Sequence, residues 1–323
     1  TRAPKVNLIG LTKSDYKGQP TTLCKGCGHN SIASQIIQVA YELNIRPHEI
    51  VKLSGIGCSS KSPAYFLGMS HGFNSLHGRM PSIGTGALMA NHLLKAIGVS
   101  GDGDTASIGF GQFKHVLRRN VRMVYIVENN GVYGLTKGQF SATADEGQEL
   151  KYAGRNELPP IDICMEAIMA GAGFVARSFS GDAKQVRALL KAALSHRGTA
   201  VLDIISPCVA FNNVDTSTKS DSYGREHEVQ IHDFGWVPPA TEIELDDHEP
   251  GAVRDIEMPD GSHIRLRKLE TDYDPTDRKA ALTLLQTAEE NHELITGLIF
   301  FDNVRESLAE ASDLPDIPLA HLG

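Results

Sequence analysis

The sequence predicts an α/β protein built on a doubly wound, mostly parallel sheet, and two observations support this prediction. Short apolar segments alternate with amphipathic helical segments along the first two thirds of the chain. Glycine-rich or polar motifs follow directly after several of the predicted strands. Ligands bind such sheets at the carboxyl ends of the strands, so we expect the functional site at that edge.

The individual elements follow from local patterns, taken in chain order. Apolar residues at helical spacing predict helices, whereas short, nearly continuous apolar runs that end in turn residues predict buried strands. Helices are predicted at Gly28–Leu43, Ser82–Ile97, Ile161–Ala172 and Asp182–His196. Strands are predicted at Glu49–Ser54, Val121–Val127 and Ala200–Ile205. Asn30 or Ser31 is expected to cap the first helix.

The pattern loosens after Phe211, where polar and turn-rich stretches replace the alternation. Two further helices fit Pro275–Glu290 and Asn303–Ser312. We therefore predict a ligand-binding α/β domain over residues 1–211 and a C-terminal extension over residues 212–323. The extension is expected to pack on the core of the first domain.

Composition limits the class of protein. The 323 residues are 41% hydrophobic and 22% charged, which is typical of a globular chain, and no apolar run approaches the length of a membrane span. The first residues lack a hydrophobic signal core, and five cysteines are too few for a disulfide scaffold. These features predict a cytoplasmic protein with no membrane contact.

The charge is distributed unevenly. From Ala240 onward 20 acidic residues accompany 7 basic ones, so the totals of 39 and 31 leave 19 acidic and 24 basic residues before that point. The basic residues are scattered and lack interleaved aromatic residues, which predicts no nucleic-acid binding. A basic front half suits an acidic protein partner.

A glycine-rich motif and an asparagine pair form the first candidate site. Gly101-Asp102-Gly103-Asp104 follows the predicted helix Ser82–Ile97, and Asn129-Asn130 follows the predicted strand Val121–Val127. Glycines allow backbone N–H groups to approach a diphosphate, and Mg²⁺ prefers carboxylate, amide and carbonyl oxygens. Asp102, Asn130 and the carbonyl of Val132 are therefore candidate ligands of Mg²⁺.

This pair of motifs resembles the signature of thiamine diphosphate enzymes, in which a GDG sequence is followed by an asparagine pair. The resemblance implies that Asp102, Asn130 and the Val132 carbonyl hold Mg²⁺ beside the diphosphate. It also implies that the diphosphate contacts Gly103, Asp104, Gly134 and Leu135.

Cysteines form the second candidate site. Cys24 and Cys27 make a Cys-x-x-Cys motif, Cys58 lies in GIGCSSK, and Cys208 lies in ISPCVAF. Their spacing leaves three interpretations open, namely an iron–sulfur cluster, a structural zinc site and unrelated buried thiols. Cys164 lies within a predicted amphipathic helix and is expected to pack in the core.

Five motifs taken together, LCKGCGHN, GIGCSSK, SLHGR, GDGD and ENNGVYGLTKGQ, resemble the β subunit of the 2-oxoacid:ferredoxin oxidoreductases, most closely the 2-oxoglutarate type. The resemblance covers Thr22–Phe211 and implies a sheet of the thiamine diphosphate-binding type. It implies a 4Fe–4S cluster on Cys24, Cys27, Cys58 and Cys208. It implies contacts to the thiamine from Ile56, Gly57, Cys58, Ser59, His77 and Gly78.

The family resemblance also implies a reaction and partners. The reaction is the oxidative decarboxylation of 2-oxoglutarate with coenzyme A to succinyl-CoA and CO₂, with electrons passing to ferredoxin, or its reverse as CO₂ fixation. In that family a second, α subunit supplies the glutamate that activates the thiamine. We therefore expect an α subunit beside this chain and a pair of such αβ units.

Substrate choice is expected to depend on cations near the cofactor motifs. Lys61 and Lys137 suit the two carboxylates of 2-oxoglutarate, and the resemblance places Leu135 and Lys137 on the substrate side. His71 is either a proton donor or an ordinary loop histidine. Three alternatives stay open: a pyruvate or branched-chain 2-oxoacid enzyme, a non-catalytic iron–sulfur carrier, and a zinc-stabilised thiamine decarboxylase.

Overall fold

The computed structural model describes residues 4–239, 253–258, 260–268 and 273–321. The helices in these ranges are α1 Gly28–Glu42, α2 Met80–Ala90, α3 Phe110–Arg119, α4 Ile163–Met169, α5 Ala183–Ser195, α6 Asp221–His227, α7 Arg278–Glu290 and α8 Leu308–Ala311. The strands are β1 Ile50–Ser54, β2 His71–Asn74, β3 Lys95–Gly101, β4 Met123–Asn129, β5 Val132–Tyr133, β6 Gln139–Phe140, β7 Glu149–Leu150, β8 Gly154–Arg155, β9 Phe174–Phe179, β10 Thr199–Ile205, β11 Glu228–Gln230, β12 His232–Val237, β13 Val253–Glu257, β14 His263–Lys268 and β15 Leu294–Phe301.

The central sheet has eight strands in the order β11-β15-β9-β10-β4-β3-β1-β2. Every neighbouring pair is parallel except β15 with β9, which is antiparallel. The predicted mostly parallel α/β sheet is therefore confirmed. Because β1, β3, β4 and β10 are parallel neighbours, the loops that follow them meet at one edge of the sheet.

Helices cover both faces of this sheet and enclose two apolar cores. Helices α1 and α5 pack on one face, and α2, α3, α4 and α7 pack on the other. Along β4, Val124 and Ile126 enter the first core, whereas Met123, Tyr125 and Val127 enter the second. Burial on both faces explains why this strand is a continuous apolar run. Within the ranges described, no helix combines the length and apolar character that crossing a bilayer requires.

Two local predictions in the first half of the chain were wrong. Helix α1 begins at Gly28 with Cys27 as its N-cap and no side-chain cap. Asn30 and Ser31 lie inside the helix and bond elsewhere: Asn30 Oδ1 accepts from Thr21 Oγ1, and Ser31 Oγ donates to the Ser180 carbonyl at 2.9 Å. The segment predicted as one helix over Ser82–Ile97 is instead α2 followed by β3. Strand pairing of β3 with both β1 and β4 outweighs the helical pattern of its small residues.

Residues after 211 contribute directly to the sheet. Strands β11 and β15 form one edge of it, and β12, β14 and β13 form a separate antiparallel sheet that the sequence analysis did not predict. The predicted helix at Pro275–Glu290 corresponds to α7, whereas Asn303–Ser312 is helical only in the short α8. Helix α8 begins only at Leu308 because Ser307 and Glu310 form a capping box there, in which the Glu310 amide donates to Ser307 Oγ and the Ser307 amide donates to Glu310 Oε2.

A buried histidine in the first core should make folding sensitive to acid. His196 lies between the rings of Phe174 and Phe301, each 5.9 Å away, and burial lowers its pKa from 6.5 to about 4. Between pH 6.5 and about 4 the histidine is protonated in the unfolded chain but neutral in the folded chain. The free energy of unfolding should therefore fall as pH drops from 6.5 toward 4. This histidine should contribute on the order of 3 kcal/mol to that loss.

Urea unfolding at several pH values measures this effect. In His196→Gln the decrease in unfolding free energy between neutral pH and pH ~4.5 should be smaller than in the wild type, because glutamine binds no proton. His115→Gln, at an exposed position on α3, is the matched control and should keep the wild-type dependence. Equal pH dependence in the wild type and His196→Gln would contradict the prediction.

Candidate active site

The loops after four parallel strands bring the sequence motifs together. Gly55–Ser59 follows β1, Gly101–Asp104 overlaps and follows the end of β3, Asn129–Gly134 overlaps and follows the end of β4, and Ser206–Cys208 follows β10. Gly103–Ile108 forms a single π-helical turn before α3. π-Helical turns occur often at functional sites, where they direct backbone groups out of a regular helix.

Asp102 has two carboxylate oxygens in very different surroundings. Oδ2 accepts hydrogen bonds from Thr143 Oγ1 at 2.7 Å, from the Gly131 amide at 3.1 Å and from the Ser141 hydroxyl. Oδ1 has only a long contact of 3.4 Å from the Asn130 amide. Burial raises the pKa of Asp102, and the hydroxyl donors oppose that rise. One fixed and one nearly free oxygen suit a ligand of a divalent cation.

Asn130 and Val132 lie directly beside this carboxylate. Val132 donates its amide to Asn130 Oδ1 at 3.1 Å, and Asn212 Nδ2 donates to the Asn130 carbonyl at 2.8 Å. The three predicted ligands of Mg²⁺ are thus neighbours in the folded chain. Among the residues that the structure describes, no three His, Cys, Asp or Glu side chains converge on one ion, so this set would depend on amide and carbonyl oxygens.

Asp104 connects the GDGD loop to the SLHGR loop. Its Oδ1 accepts from the Gly78 amide at 2.7 Å, and its Oδ2 accepts from Ser100 Oγ at 2.8 Å. A Cβ on Gly55 would lie 2.1 Å from Asp104 Oδ2, so only glycine fits there. The Tyr133 hydroxyl donates to the Gly103 carbonyl at 3.0 Å and closes the other side of the turn. Diphosphate contact by Gly103 and Asp104 stays a prediction.

Some of the other predicted thiamine and substrate residues lie at the edge where the motifs meet, and others lie away from it. His77 is exposed and Gly78 is buried beside Asp104, at the edge where the motifs meet. His71 pairs with Val51 at the opposite end of β2 and is exposed, roughly 10 Å back along the strand from that edge. The fold therefore does not bring His71 to the other candidate residues.

The loop that carries Leu135 and Lys137 is strained and open. Leu135 is 49% exposed, and Lys137 has a positive φ of 77°, which is uncommon for a residue with a side chain. Lys61 lies in the helical turn Ser59–Ala64, and its charge lowers the pKa of Cys58 against the larger effect of burial. Ile56, Gly57 and Ser59 lie in the same segment. Strain of this kind is often found where a loop positions a functional group.

Four cysteines lie near one another at this edge, but among the described residues no three of their side chains form a group that could hold a single metal ion. A Cβ on Gly134 would lie 3.4 Å from Cys208 Sγ and 3.6 Å from Cys58 Sγ. Burial raises the pKa of Cys27 to about 12, with Cys208 and Cys58 adding to the rise. Burial also raises the pKa of Cys58, to which Cys208 and Cys24 contribute. Neighbouring thiolates repel one another, so they become good ligands when bound cations compensate their negative charge.

Cys164 is separate from these four. It is fully buried in α4, as predicted, and Arg177 is the charged group that acts most strongly on it.

A buried acid–histidine pair next to the cysteines escaped the sequence analysis. Glu128 is fully buried, accepts from Ser62 Oγ at 3.0 and 2.9 Å, and has a pKa raised well above its usual value by burial. His29 Nδ1 lies 3.6 Å from Glu128 Oε2 and 2.6 Å from Ser206 Oγ. Burial lowers the pKa of His29 to about 4, so the imidazole is neutral at pH 7. A glutamate that ends an apolar strand run was the signal available.

Comparisons with known proteins identify a matching family and several relatives. Residues 55–204 match the family described as thiamine pyrophosphate enzyme, C-terminal TPP binding domain. The chain is 40% identical over 202 residues to the 2-oxoacid:ferredoxin oxidoreductase subunit beta of Saccharolobus solfataricus, which covers 61% of this chain and 65% of that protein. It is 34% identical over 193 residues to the 2-oxoglutarate synthase subunit KorB of Methanocaldococcus jannaschii, which covers 59% of this chain and 71% of that protein.

A solved structure extends the likeness to almost the whole chain. The 2-oxoglutarate:ferredoxin oxidoreductase from Magnetococcus marinus, with 2-oxoglutarate, coenzyme A and succinyl-CoA bound, has a TM-score of 0.77 and 28% identity, covering 97% of this chain and 93% of that chain. The match to the Saccharolobus protein, by contrast, spans slightly less than two thirds of its length. The predicted type of fold is confirmed, and the chain belongs to the family of 2-oxoacid:ferredoxin oxidoreductase β subunits.

Proposed function

We propose that this chain is the thiamine diphosphate-binding β subunit of a 2-oxoglutarate:ferredoxin oxidoreductase. One observation carries the proposal: a buried carboxylate with a nearly free oxygen and a group of cysteines lie at the same edge of the sheet. Asp102 supplies the carboxylate, and Cys58 and Cys208 flank Gly134 in the neighbouring loops. A cofactor site next to a cluster site suits an enzyme that breaks a carbon–carbon bond at the cofactor. The two electrons released by the oxidation could then leave one at a time through the cluster.

The residues present fit Mg²⁺ and a diphosphate. Asp102 Oδ1, the Asn130 amide oxygen and the Val132 carbonyl would hold the ion. Diphosphate contacts would come from Gly103, Asp104, Gly134 and Leu135, and thiamine contacts from Ile56, Gly57, Cys58, Ser59, His77 and Gly78. All these residues lie before residue 211. Their position supports a cofactor-binding region over residues 1–211, to whose sheet the extension over residues 212–323 adds β11 and β15.

The cysteines fit a 4Fe–4S cluster. Cys24, Cys27, Cys58 and Cys208 come from three separate segments of the chain. Cys208 and Cys58 help to raise the pKa of Cys27, and Cys208 and Cys24 help to raise the pKa of Cys58. Cys24 is exposed, whereas the other three are partly buried. A cluster on these four thiolates would have one exposed corner, through which electrons could pass to a ferredoxin.

The overall reaction balances in atoms and electrons. One 2-oxoglutarate and one coenzyme A thiol give succinyl-CoA, CO₂, one proton and two electrons, and two oxidised ferredoxins accept the electrons. Thiamine diphosphate supplies the carbanion chemistry that makes loss of CO₂ possible. The protein would hold the diphosphate, Lys61 and Lys137 would bind the substrate carboxylates, and a cluster on the four cysteines would supply single-electron transfer.

Exposed apolar residues along the edge strand β2 support an α subunit. Met69 is 58% exposed, Phe73 50% and Leu76 76%, and all lie on or next to the edge strand β2. Grouped exposed apolar side chains mark protein interfaces. We propose an α subunit on this surface, a pair of such αβ units, and coenzyme A and ferredoxin as further partners. Five free cysteines support a cytoplasmic location, where thiols stay reduced.

The test of this function is anaerobic purification of the chain with its co-expressed α subunit, followed by a visible spectrum and dye reduction with coenzyme A. Iron-dependent colour and dye reduction with 2-oxoglutarate would support the proposal. Activity with pyruvate or a branched-chain 2-oxoacid instead would keep the family and reject the substrate. A coloured complex without any 2-oxoacid activity would favour a non-catalytic carrier, and a colourless zinc protein would favour a simple decarboxylase.

Lys137 should decide the preference for a dicarboxylate. In Lys137→Ala the KM for 2-oxoglutarate should rise about ten- to a hundredfold, because a charge-assisted hydrogen bond to the distal carboxylate is lost. The KM for pyruvate, which has no second carboxylate, should change little. Steady-state kinetics with both substrates measures the ratio. Lys151→Ala is the matched control, because Lys151 lines the same surface cavity as Lys137 and lies outside the motifs.

Lys61→Ala distinguishes the two lysines. A rise in KM for both substrates would place Lys61 at the carboxylate common to all 2-oxoacids. Equal effects of Lys137→Ala on 2-oxoglutarate and pyruvate would contradict the role proposed for Lys137.

A further inference from the structure

A buried ion pair lies one layer behind the candidate metal site. Arg177 on β9 and Asp203 on β10 are direct partners in the parallel ladder, and Arg177 Nε donates to Asp203 Oδ2 at 2.9 Å. Arg177 Nη2 donates to Asp162 Oδ2 at 2.6 Å, at the start of α4. Arg177 is 8% exposed and Asp203 1%. The guanidinium therefore compensates the charge of Asp203 in an environment without bulk water.

Asp203 extends this pair toward the metal site through Asn129. Asn129 Nδ2 donates to Asp203 Oδ1 at 2.9 Å, which fixes the orientation of the amide. The amide oxygen consequently faces the Thr143 hydroxyl, at 2.9 Å. The opposite orientation would place the amide oxygen against the carboxylate of Asp203, which is repulsive. Asp203 thus determines which atom of Asn129 meets Thr143.

Thr143 completes the connection to the metal-binding carboxylate. Its Oγ1 lies 2.7 Å from Asp102 Oδ2 and 2.9 Å from Asn129 Oδ1, so one hydroxyl proton lies between two acceptors. Asp102, Asn129 and Thr143 are each at most 2% exposed. Because these side chains are shielded from bulk water, a change at one member must be absorbed by its neighbours.

We propose that Arg177, Asp203, Asn129 and Thr143 form a positioning relay for the carboxylate of Asp102. The relay holds Oδ2 on the protein side and leaves Oδ1 toward the cation. The inference rests on the proposed function, because it takes Asp102 as a ligand of Mg²⁺. None of the four residues is assigned contact with substrate or cofactor, so their role is to orient the ligand. Partners of metal ligands typically change metal affinity 10- to 100-fold when they are lost.

Thr143→Val tests the last step of the relay. The variant keeps the shape of the side chain and removes the hydroxyl, so the apparent dissociation constant for Mg²⁺ should rise about 10- to 100-fold. The measurement is isothermal calorimetry on the purified αβ complex stripped of Mg²⁺, titrated with MgCl₂ at saturating thiamine diphosphate. Thr143→Ser restores a hydroxyl and should return the constant to within about threefold of the wild type.

Asp203→Asn tests the remote end, with Asp162→Asn as its matched control. Both changes remove one partner of Arg177, but only Asp203 contacts Asn129. Asp203→Asn should weaken Mg²⁺ binding, and Asp162→Asn should leave it within about threefold of the wild type. A purely structural ion pair would instead lower the thermal midpoint of both variants and change Mg²⁺ affinity in neither.

The outcomes separate this inference from the proposed function. Failure of the wild-type complex to bind Mg²⁺ with thiamine diphosphate would overturn the cofactor assignment and the relay with it. Normal binding by the wild type, with unchanged Mg²⁺ affinity in both Thr143→Val and Asp203→Asn, would overturn the relay alone. If Thr143→Val does not fold, the same titration of Asp203→Asn and Asp162→Asn tests the relay through the difference in their Mg²⁺ affinities.

Discussion

Asp102→Asn should remove 2-oxoacid-dependent activity almost completely while leaving the fold intact. The substitution keeps the size of the side chain and its ability to accept hydrogen bonds from Thr143 and Ser141. It removes the negative charge that a divalent cation requires, and metal-dependent charge stabilisation is worth several kcal/mol. We expect kcat/KM to fall by about 10³-fold or more.

The stability of this variant should change in the opposite direction. Because burial raises the pKa of Asp102 above its value in the unfolded chain, ionisation costs stability as pH rises through and above 3.8 when no cation is bound. An asparagine carries no such cost. Without Mg²⁺ the thermal midpoint of Asp102→Asn should therefore equal or exceed that of the wild type. Added Mg²⁺ with thiamine diphosphate should stabilise only the wild type.

Asp145→Asn is the matched control for this prediction. Asp145 is also a hydrogen-bonded carboxylate, accepting from the Thr218 amide at 2.8 Å and pairing with Lys219 at 3.5 Å, but it does not contact Asp102. It should keep both activity and stabilisation by the cofactor. Wild-type activity in Asp102→Asn would remove the basis for a cation at this position and favour the non-catalytic carrier.

Loss of any one cluster cysteine should remove the visible chromophore and ferredoxin reduction. Cys58→Ala and Cys208→Ala delete thiols that both lie within 4 Å of the position a Cβ on Gly134 would take, so an iron–sulfur cluster would lose a ligand in each case. We expect iron and acid-labile sulfide to fall to background in anaerobically purified complex. Absorption spectroscopy, iron analysis and reduction of ferredoxin measure the three consequences.

Cys164→Ala provides the control within the same chain. Cys164 is buried in α4 beside Arg177 and belongs to the core, so its loss should cost about 1 kcal/mol of stability and no iron. Full iron content in Cys58→Ala and Cys208→Ala would contradict the ligand assignment. Stoichiometric zinc in a colourless wild-type complex would contradict the cluster itself.

Motif positions could be read from the sequence because they depend on short stretches of chain. The apolar runs of β4 and β10 predict buried strands, since both faces of each strand are covered. The polar residues that follow parallel strands then meet at one edge by geometry alone, which is why Asp102 and Asn130 could be paired before the structure was known. The spacing of the cysteines left their ligand open, and only family resemblance favoured iron–sulfur over zinc.

Local pattern failed where pairing partners lie far apart in the chain. The helical pattern of Ser82–Ile97 ends with α2, and its last residues, Lys95–Ile97, enter β3 because they pair with β1 and β4. The C-terminal strand β15 enters the central sheet beside β9, more than a hundred residues away in sequence, and no local feature near Leu294 indicated that partner. The stability of a strand depends on partners that are distant in the sequence, so a stretch of a few residues does not predict it.

The class of fold, the edge of the sheet where the motifs meet and the residue types available there could be predicted from the amino-acid sequence. The surroundings of each side chain depend on contacts between distant segments. The tertiary structure left Asp102 with one oxygen bound and one nearly free, placed Glu128 against His29 in a buried pair, and moved His71 away from the site. The physical reason is that burial and hydrogen-bond geometry, which determine charge and orientation, arise only when distant segments meet.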